Sequence, residues 1–126
     1  MGSTTTPMLV YIAGPMSGID DNNFPAFEEA AAELRKQGYT VINPSETVGG
    51  APDHDWQAMA RNVYMRIDFH HLLTANMVVL LPGWRDSEGA KAEAVMAKQL
   101  GLVMREYRGE DLRPQVLMPE VITCQL

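Results

Sequence analysis

The sequence predicts an α/β domain, a parallel sheet of four to five strands with helices on both faces. Three observations predict it. Short apolar runs at Met8 to Ala13, Tyr39 to Ile42, Met77 to Leu81 and Leu102 to Tyr107 alternate with stretches of helical periodicity. The junctions carry turn or capping residues. Parallel neighbours need crossover connections, which right-handed helices supply, so this order of elements implies parallel pairing.

Met8 to Ala13 is stopped by Gly14-Pro15 and reads as a buried first strand. Asn22 or Asn23 can cap a helix from Phe24 to Gln37, with Pro25 in its first turn and Gly38 closing it. Its core stripe is Phe24, Phe27, Ala31 and Leu34. Tyr39 to Ile42 is a second strand, followed by a long loop from Asn43 to Asp55, rich in Pro, Gly and Asp. A second helix runs from Trp56 to about Leu73, with Trp56, Met59, Ala60, Val63 and Ile67 pointing inward. Met77 to Leu81 is the third strand, Glu88 to Leu100 the last helix and Leu102 to Tyr107 a fourth strand. The tail 108–126 reads as either a fifth strand or a partner-binding arm.

The chain of 126 residues, 46% of them hydrophobic, fits one domain over 8–126 behind a flexible leader at 1–7. A net charge of -6 argues against a binder of nucleic-acid polymers or of anionic membranes. Cys124 is the only cysteine, so no intrachain disulfide forms and a reducing cytoplasm is the expected compartment. No apolar run reaches the length of a membrane span. His54, His70 and His71 lack ligand spacing, and no metal is expected.

One acid stands out. At 100° per residue, Lys91 and Lys98 point one way along the last helix, while Gly89, Glu93, Met96, Ala97 and Leu100 point the other. Glu93 therefore lies within the packed stripe, where an unpaired ionised carboxylate costs several kcal/mol. It must be paired, protonated or facing a cavity.

Sheets of this kind bind ligands at the carboxyl ends of their strands. That edge gathers Gly14 to Gly18, Asn43 to Glu46 and Pro82 to Gly89, with Glu93 close by. Ser87 is either a plain N-cap or, with the amides of Glu88, Gly89 and Ala90, part of a phosphate site, and Arg85 nearby favours the second. Asp68 borders an apolar stripe, and a partly buried acid paired with another carboxylate suits glycosidic-bond cleavage. The turn Gly14-Pro15-Met16-Ser17-Gly18 either wraps a sugar phosphate through its amides or is only a turn. Tyr11 is a core strand residue or one whose hydroxyl reaches the strand ends, and Trp84 is a weaker candidate for stacking on a base.

Together, Tyr11-Ile12-Ala13-Gly14-Pro15, Asp68 with Leu72 to Leu81, and Ser87-Glu88-Gly89-Ala90-Lys91-Ala92-Glu93 resemble the nucleoside 2-deoxyribosyltransferase superfamily over most of Met8 to Val103. The resemblance implies a Rossmann-like or flavodoxin-like sheet, with Glu93 as nucleophile, Asp68 assisting the proton and leaving-base steps, and Tyr11 positioning sugar and nucleophile. In one branch, which hydrolyses nucleoside 5′-monophosphates, the serine of a Ser-x-Gly segment like Ser87-Glu88-Gly89 binds the phosphate. The turn containing Gly14, Ser17 and Gly18 would support the same group. The resemblance also implies a homodimer or higher homo-oligomer and no cofactor. Pro82 to Asp86 and Asn43 to Asp55 depart from the better-known hydrolases.

The leading expectation is an N-glycosidase that hydrolyses a (2′-deoxy)nucleoside 5′-monophosphate to free base and sugar phosphate through a Glu93 glycosyl-enzyme intermediate. The alternatives are a deoxyribosyltransferase that exchanges bases and a noncatalytic nucleotide-sensing module.

Overall fold

The computed structural model describes residues 8–16, 18–47, 61–109 and 111–113. Five strands, β1 (Leu9–Ala13), β2 (Thr40–Ile42), β3 (Met77–Leu80), β4 (Val103–Arg108) and β5 (Asp111–Arg113), form one sheet in the order β2-β1-β3-β4-β5. The first four are parallel and β5 returns antiparallel to β4. The Rossmann-like α/β expectation holds, and the beginning of the tail supplies the fifth strand.

Strand direction explains the layers. In β1, Val10 and Ile12 face one side of the sheet, while Tyr11 and Ala13 face the other, as alternation requires. The first side is covered by α1 (Phe24–Lys36), through Phe27, Ala30, Ala31 and Leu34. The second is covered by α3 (Arg61–Leu72) and α4 (Glu88–Gln99), through Leu72, Ala90, Ala94 and Ala97. Phe24 is only half-buried and Val63 is 45% exposed, so neither is a core anchor of its helix. Leu100 is also exposed, because it lies past the last turn of α4. The α4 stripe is instead Ala90, Glu93, Ala94 and Ala97, whose small side chains let the helix lie close to the strands.

Two connections differ from expectation. Asn23 stands at the start of α1 but caps nothing with its side chain; it adopts left-handed backbone, as do Asp21 and Asn22. Asn and Asp tolerate that region better than other residues, and the Asn23 amide instead donates to the Pro15 carbonyl at 2.9 Å. The long loop expected after β2 contains a short helix, α2 (Pro44–Thr47). Asn43 Oδ1 accepts from the Ser45 amide, and Arg35 of α1 holds Glu46 with two hydrogen bonds. At 43% and 51% side-chain exposure that pair adds little stability, but it fixes where α2 sits. Gly38 ends α1 at φ +100, a left-handed position that suits glycine. The expected inward positions Trp56, Met59 and Ala60 lie outside the described residues.

The order of strands reverses direction between β1 and β3, which makes their carboxyl end the expected ligand crevice. Here the backbone is tight: a Cβ on Gly14 would lie 2.8 Å from Leu81 Cβ, so the chain leaving β1 passes against the end of β3 only because residue 14 has no side chain. No helix among the described residues is long and apolar enough to cross a membrane.

Candidate active site

A cavity of about 630 Å³ opens at this end of the sheet. Its floor is β1, through Tyr11 and Ile12; its walls come from Gly14 to Met16, Pro44, Met65 and Asp68 of α3, Pro82, Gly83, Asp86, Ser87 and the first turns of α4. The three segments gathered from the sequence thus meet around one space, of a size that holds a small ligand.

Glu93 sits in the second turn of α4, is 5% exposed and lines the cavity. The Tyr11 hydroxyl donates to its Oε2 at 2.5 Å. Both side chains occupy the α4 face of the sheet because Tyr11 is an odd position of β1 and Glu93 lies within the alanine stripe. Burial pushes the Glu93 carboxyl up to about 8, with the charge of Asp68 adding to the rise and the Tyr11 bond opposing it. Burial, the charges of Glu93 and Asp68 and the bond to Glu93 together hold the Tyr11 phenol well above its ordinary range, so at neutral pH it is a donor.

Asp68 is 7% exposed, and burial raises its carboxyl to about 7. Its Oδ1 is buried and accepts no hydrogen bond from the described residues. Two acids poised near neutrality, Glu93 bonded to a tyrosine and Asp68 beside it, line the same cavity. Such a pair can supply a carboxylate nucleophile and a group that carries a proton.

At the start of the same helix, Ser87 caps α4: its Oγ accepts from the Ala90 amide at 3.2 Å, and it also lines the cavity. The capping and ligand-facing readings of Ser87 are therefore compatible, and Gly89 stands beside it. Gly14 lines the cavity as well; Gly18 does not, and Ser17 lies outside the described residues.

Two sequence candidates belong elsewhere. Trp84 is 2% exposed and donates its Nε1 to Glu106 at 3.1 Å, so its ring is packed and presents no face to a base. Arg85 stacks 4.5 Å above that ring and pairs with the same carboxylate at 2.6 Å, which turns it away from a phosphate. Burial raises the Glu106 carboxyl, but the bonds from Trp84 and Arg85 and the charges of Arg85 and Arg108 outweigh it and hold the acid below its usual range. This knot anchors the Pro82 to Ser87 wall from behind. Glu106 was not singled out in the sequence; its signal was an acid on a strand otherwise rich in bulky residues. Asn23, Met65 and Asp86 also line the cavity without having been singled out. Among the described residues, no group of His, Cys, Asp and Glu could hold a metal ion.

The family model described as "Domain of unknown function (DUF4406)" matches residues 8–105. No curated protein matches the chain. Among solved structures, a 2-deoxyribosyltransferase from Bacillus psychrosaccharolyticus superposes with a TM-score of 0.62 at 19% identity, over 86% of this chain and 76% of that one. A conserved protein from Enterococcus faecalis V583 superposes with a TM-score of 0.58 at 23% identity, over 80% of this chain and 63% of that one. At these identities the likeness establishes a shared deoxyribosyltransferase-like fold.

Proposed function

The chain belongs to the DUF4406 family, and from the geometry of its cavity we propose that it is an enzyme that breaks the N-glycosidic bond of a nucleoside or nucleotide. One observation carries the reading: the buried Glu93 carboxyl, held by Tyr11, lines a ligand-sized cavity together with the carboxyl of Asp68. An oxocarbenium-like transition state places positive charge on the sugar, where a nearby carboxylate is most useful. Glu93 attacks C1′ as the base departs, Asp68 gives the base its proton, and Tyr11 holds Glu93 in line. The sugar is then passed from Glu93 to an acceptor, with Asp68 taking the acceptor's proton.

Transfer of a 2-deoxyribosyl group to a second base is the reading favoured by the shared fold, since the named neighbour is a 2-deoxyribosyltransferase. Asp86 in the wall also suits a free 5′-hydroxyl better than a phosphate. Hydrolysis of a 5′-monophosphate is the second reading. It is favoured by the first turn of α4, where Ser87, Glu88 and Gly89 line the cavity at the positive end of the helix dipole.

Incubation with a panel of nucleosides and 5′-monophosphates, with and without an added acceptor base, tests all of this by chromatography. A new nucleoside supports transfer; free base with sugar phosphate supports hydrolysis. Substrate binding with no bond cleavage under any condition rejects the enzyme reading. By analogy of fold, a homo-oligomer is proposed, to be measured by sedimentation.

A further inference from the structure

Asp68, Asp86, Glu88 and Glu93 line the cavity, and no lysine, arginine or histidine is among its described lining residues. Two cations next in sequence to lining residues pair with acids, Arg85 with Glu106 at 2.6 Å and Lys91 with Glu88 at 2.8 Å. Lys91 offsets Glu88, which leaves the two deep acids, Asp68 and Glu93, with no salt bridge among the described residues. Asp68 is the sharper signal. It is 7% exposed, and its Oδ1 is a buried acceptor with no donor among the described residues. Buried polar groups in native structures are nearly always partnered, by protein, ordered water or a ligand, and the exceptions concentrate at catalytic sites.

We infer that this cavity takes nucleosides whose base carries a fixed positive charge on its ring, an N-alkylated purine or an N-glycosylated pyridinium. The inference rests on the glycosidic-bond reading and adds the class of base. A cationic ring beside Asp68 offsets the charge of the two acids and lessens the repulsion between them.

It also simplifies the chemistry. A Glu93 oxygen bonds to C1′, the C1′–N bond breaks, and its electron pair remains on the ring nitrogen, cancelling the positive charge of the base. One carboxylate and one cation become a neutral ester and a neutral base, with no proton required. A neutral purine must instead receive a proton from Asp68 as it leaves. In both cases water or an acceptor base then displaces Glu93 from C1′, its proton passes to Asp68 or to solvent, and the carboxylate is restored.

Two unreactive probes test the charge preference on the full chain: 1-methylnicotinamide, a permanent pyridinium cation, and nicotinamide, its uncharged counterpart. Calorimetry should find the cation bound about tenfold or more tightly. Asp68→Asn should erase the preference while leaving nicotinamide affinity within about twofold, which also shows the variant is folded. Glu93→Gln should lower the preference in the same direction. Equal affinities, or a preference that survives Asp68→Asn, overturn the inference.

Turnover separates it from the reading beneath it. The pyridinium N-riboside of nicotinamide should release nicotinamide in the wild type and not in Glu93→Gln. If neutral nucleosides are cleaved in a Glu93-dependent way while cations bind no better, the charge inference falls and the glycosidic reading stands. If the cation preference holds and no nucleoside of either kind is cleaved, the catalytic reading falls and the charge preference remains.

Discussion

The Tyr11 hydroxyl on β1 donates a 2.5 Å hydrogen bond to Glu93 on α4, joining two buried groups 82 positions apart in the chain. The bond favours the ionised carboxyl, against burial and the charge of Asp68, which both favour the protonated one. Tyr11 is therefore the counterweight that keeps a deeply placed acid available as a nucleophile.

Tyr11→Phe preserves the ring, which is fully buried, and removes only the donor. The Glu93 pKa should rise, so the acid limb of kcat/KM moves to higher pH, with kcat falling by about tenfold or more at pH 7. An unmoved limb would detach Tyr11 from the nucleophile.

Asp68→Asn removes a like charge, and the same limb should move to lower pH. On neutral substrates kcat should fall by about 10²–10⁴-fold, the usual contribution of a general acid or base. Opposite displacements in the Tyr11 and Asp68 variants are a stronger test than either alone, because a general loss of structure would not produce them. Rate profiles from pH 5 to 9 measure both.

Glu93→Gln should lower turnover by roughly 10³-fold or more. It should also stabilise the protein at alkaline pH. The folded-state pKa of Glu93 is raised to about 8, above its usual 4.5, so the stability associated with the protonated acid is complete below about 4.5 and is lost as pH rises to about 8. The slope is about 1.4 kcal/mol per pH unit for one group. Glutamine imitates the protonated form at every pH, and urea denaturation at pH 5 and pH 8.5 should show the variant's advantage growing with pH.

Ser87→Ala loses the cap on the Ala90 amide and should cost about 1 kcal/mol of stability, a lowering of the melting temperature by roughly 3–6 °C. If the monophosphate reading holds, KM for 5′-monophosphates rises while KM for unphosphorylated nucleosides stays within about twofold. Equal effects on both assign Ser87 to capping alone.

Much of this arrangement could be read from the chain. Apolar runs marked β1, β3 and β4, and periodicity with Gly38 bounded α1, because those signals are local. Glu93 was legible for the same reason: an acid inside a helical stripe is visible without tertiary information. The knot of Trp84, Arg85 and Glu106 was not, since Glu106 lies 22 positions beyond Trp84 and nothing near either residue announces the pairing. The left-handed turn at Asp21 to Asn23 was hidden as well. Asparagines before a helix suggest caps through their side-chain oxygens, and only the fold reveals that Asn23 caps nothing and that its Nδ2 donates to the Pro15 carbonyl.

The alanine stripe of α4 has a consequence for how this protein could change. Ala90, Ala94 and Ala97 are at most 1% exposed, so methyl groups set the gap between helix and sheet on which the reach of Tyr11 to Glu93 depends. Polar chemistry at the mouth and reactive spacing in the depth are thus governed by separate positions. Exchanging Ala94 or Ala97 for glycine, serine or valine would adjust the spacing without altering a described residue that lines the cavity, a route for laboratory evolution that leaves recognition untouched.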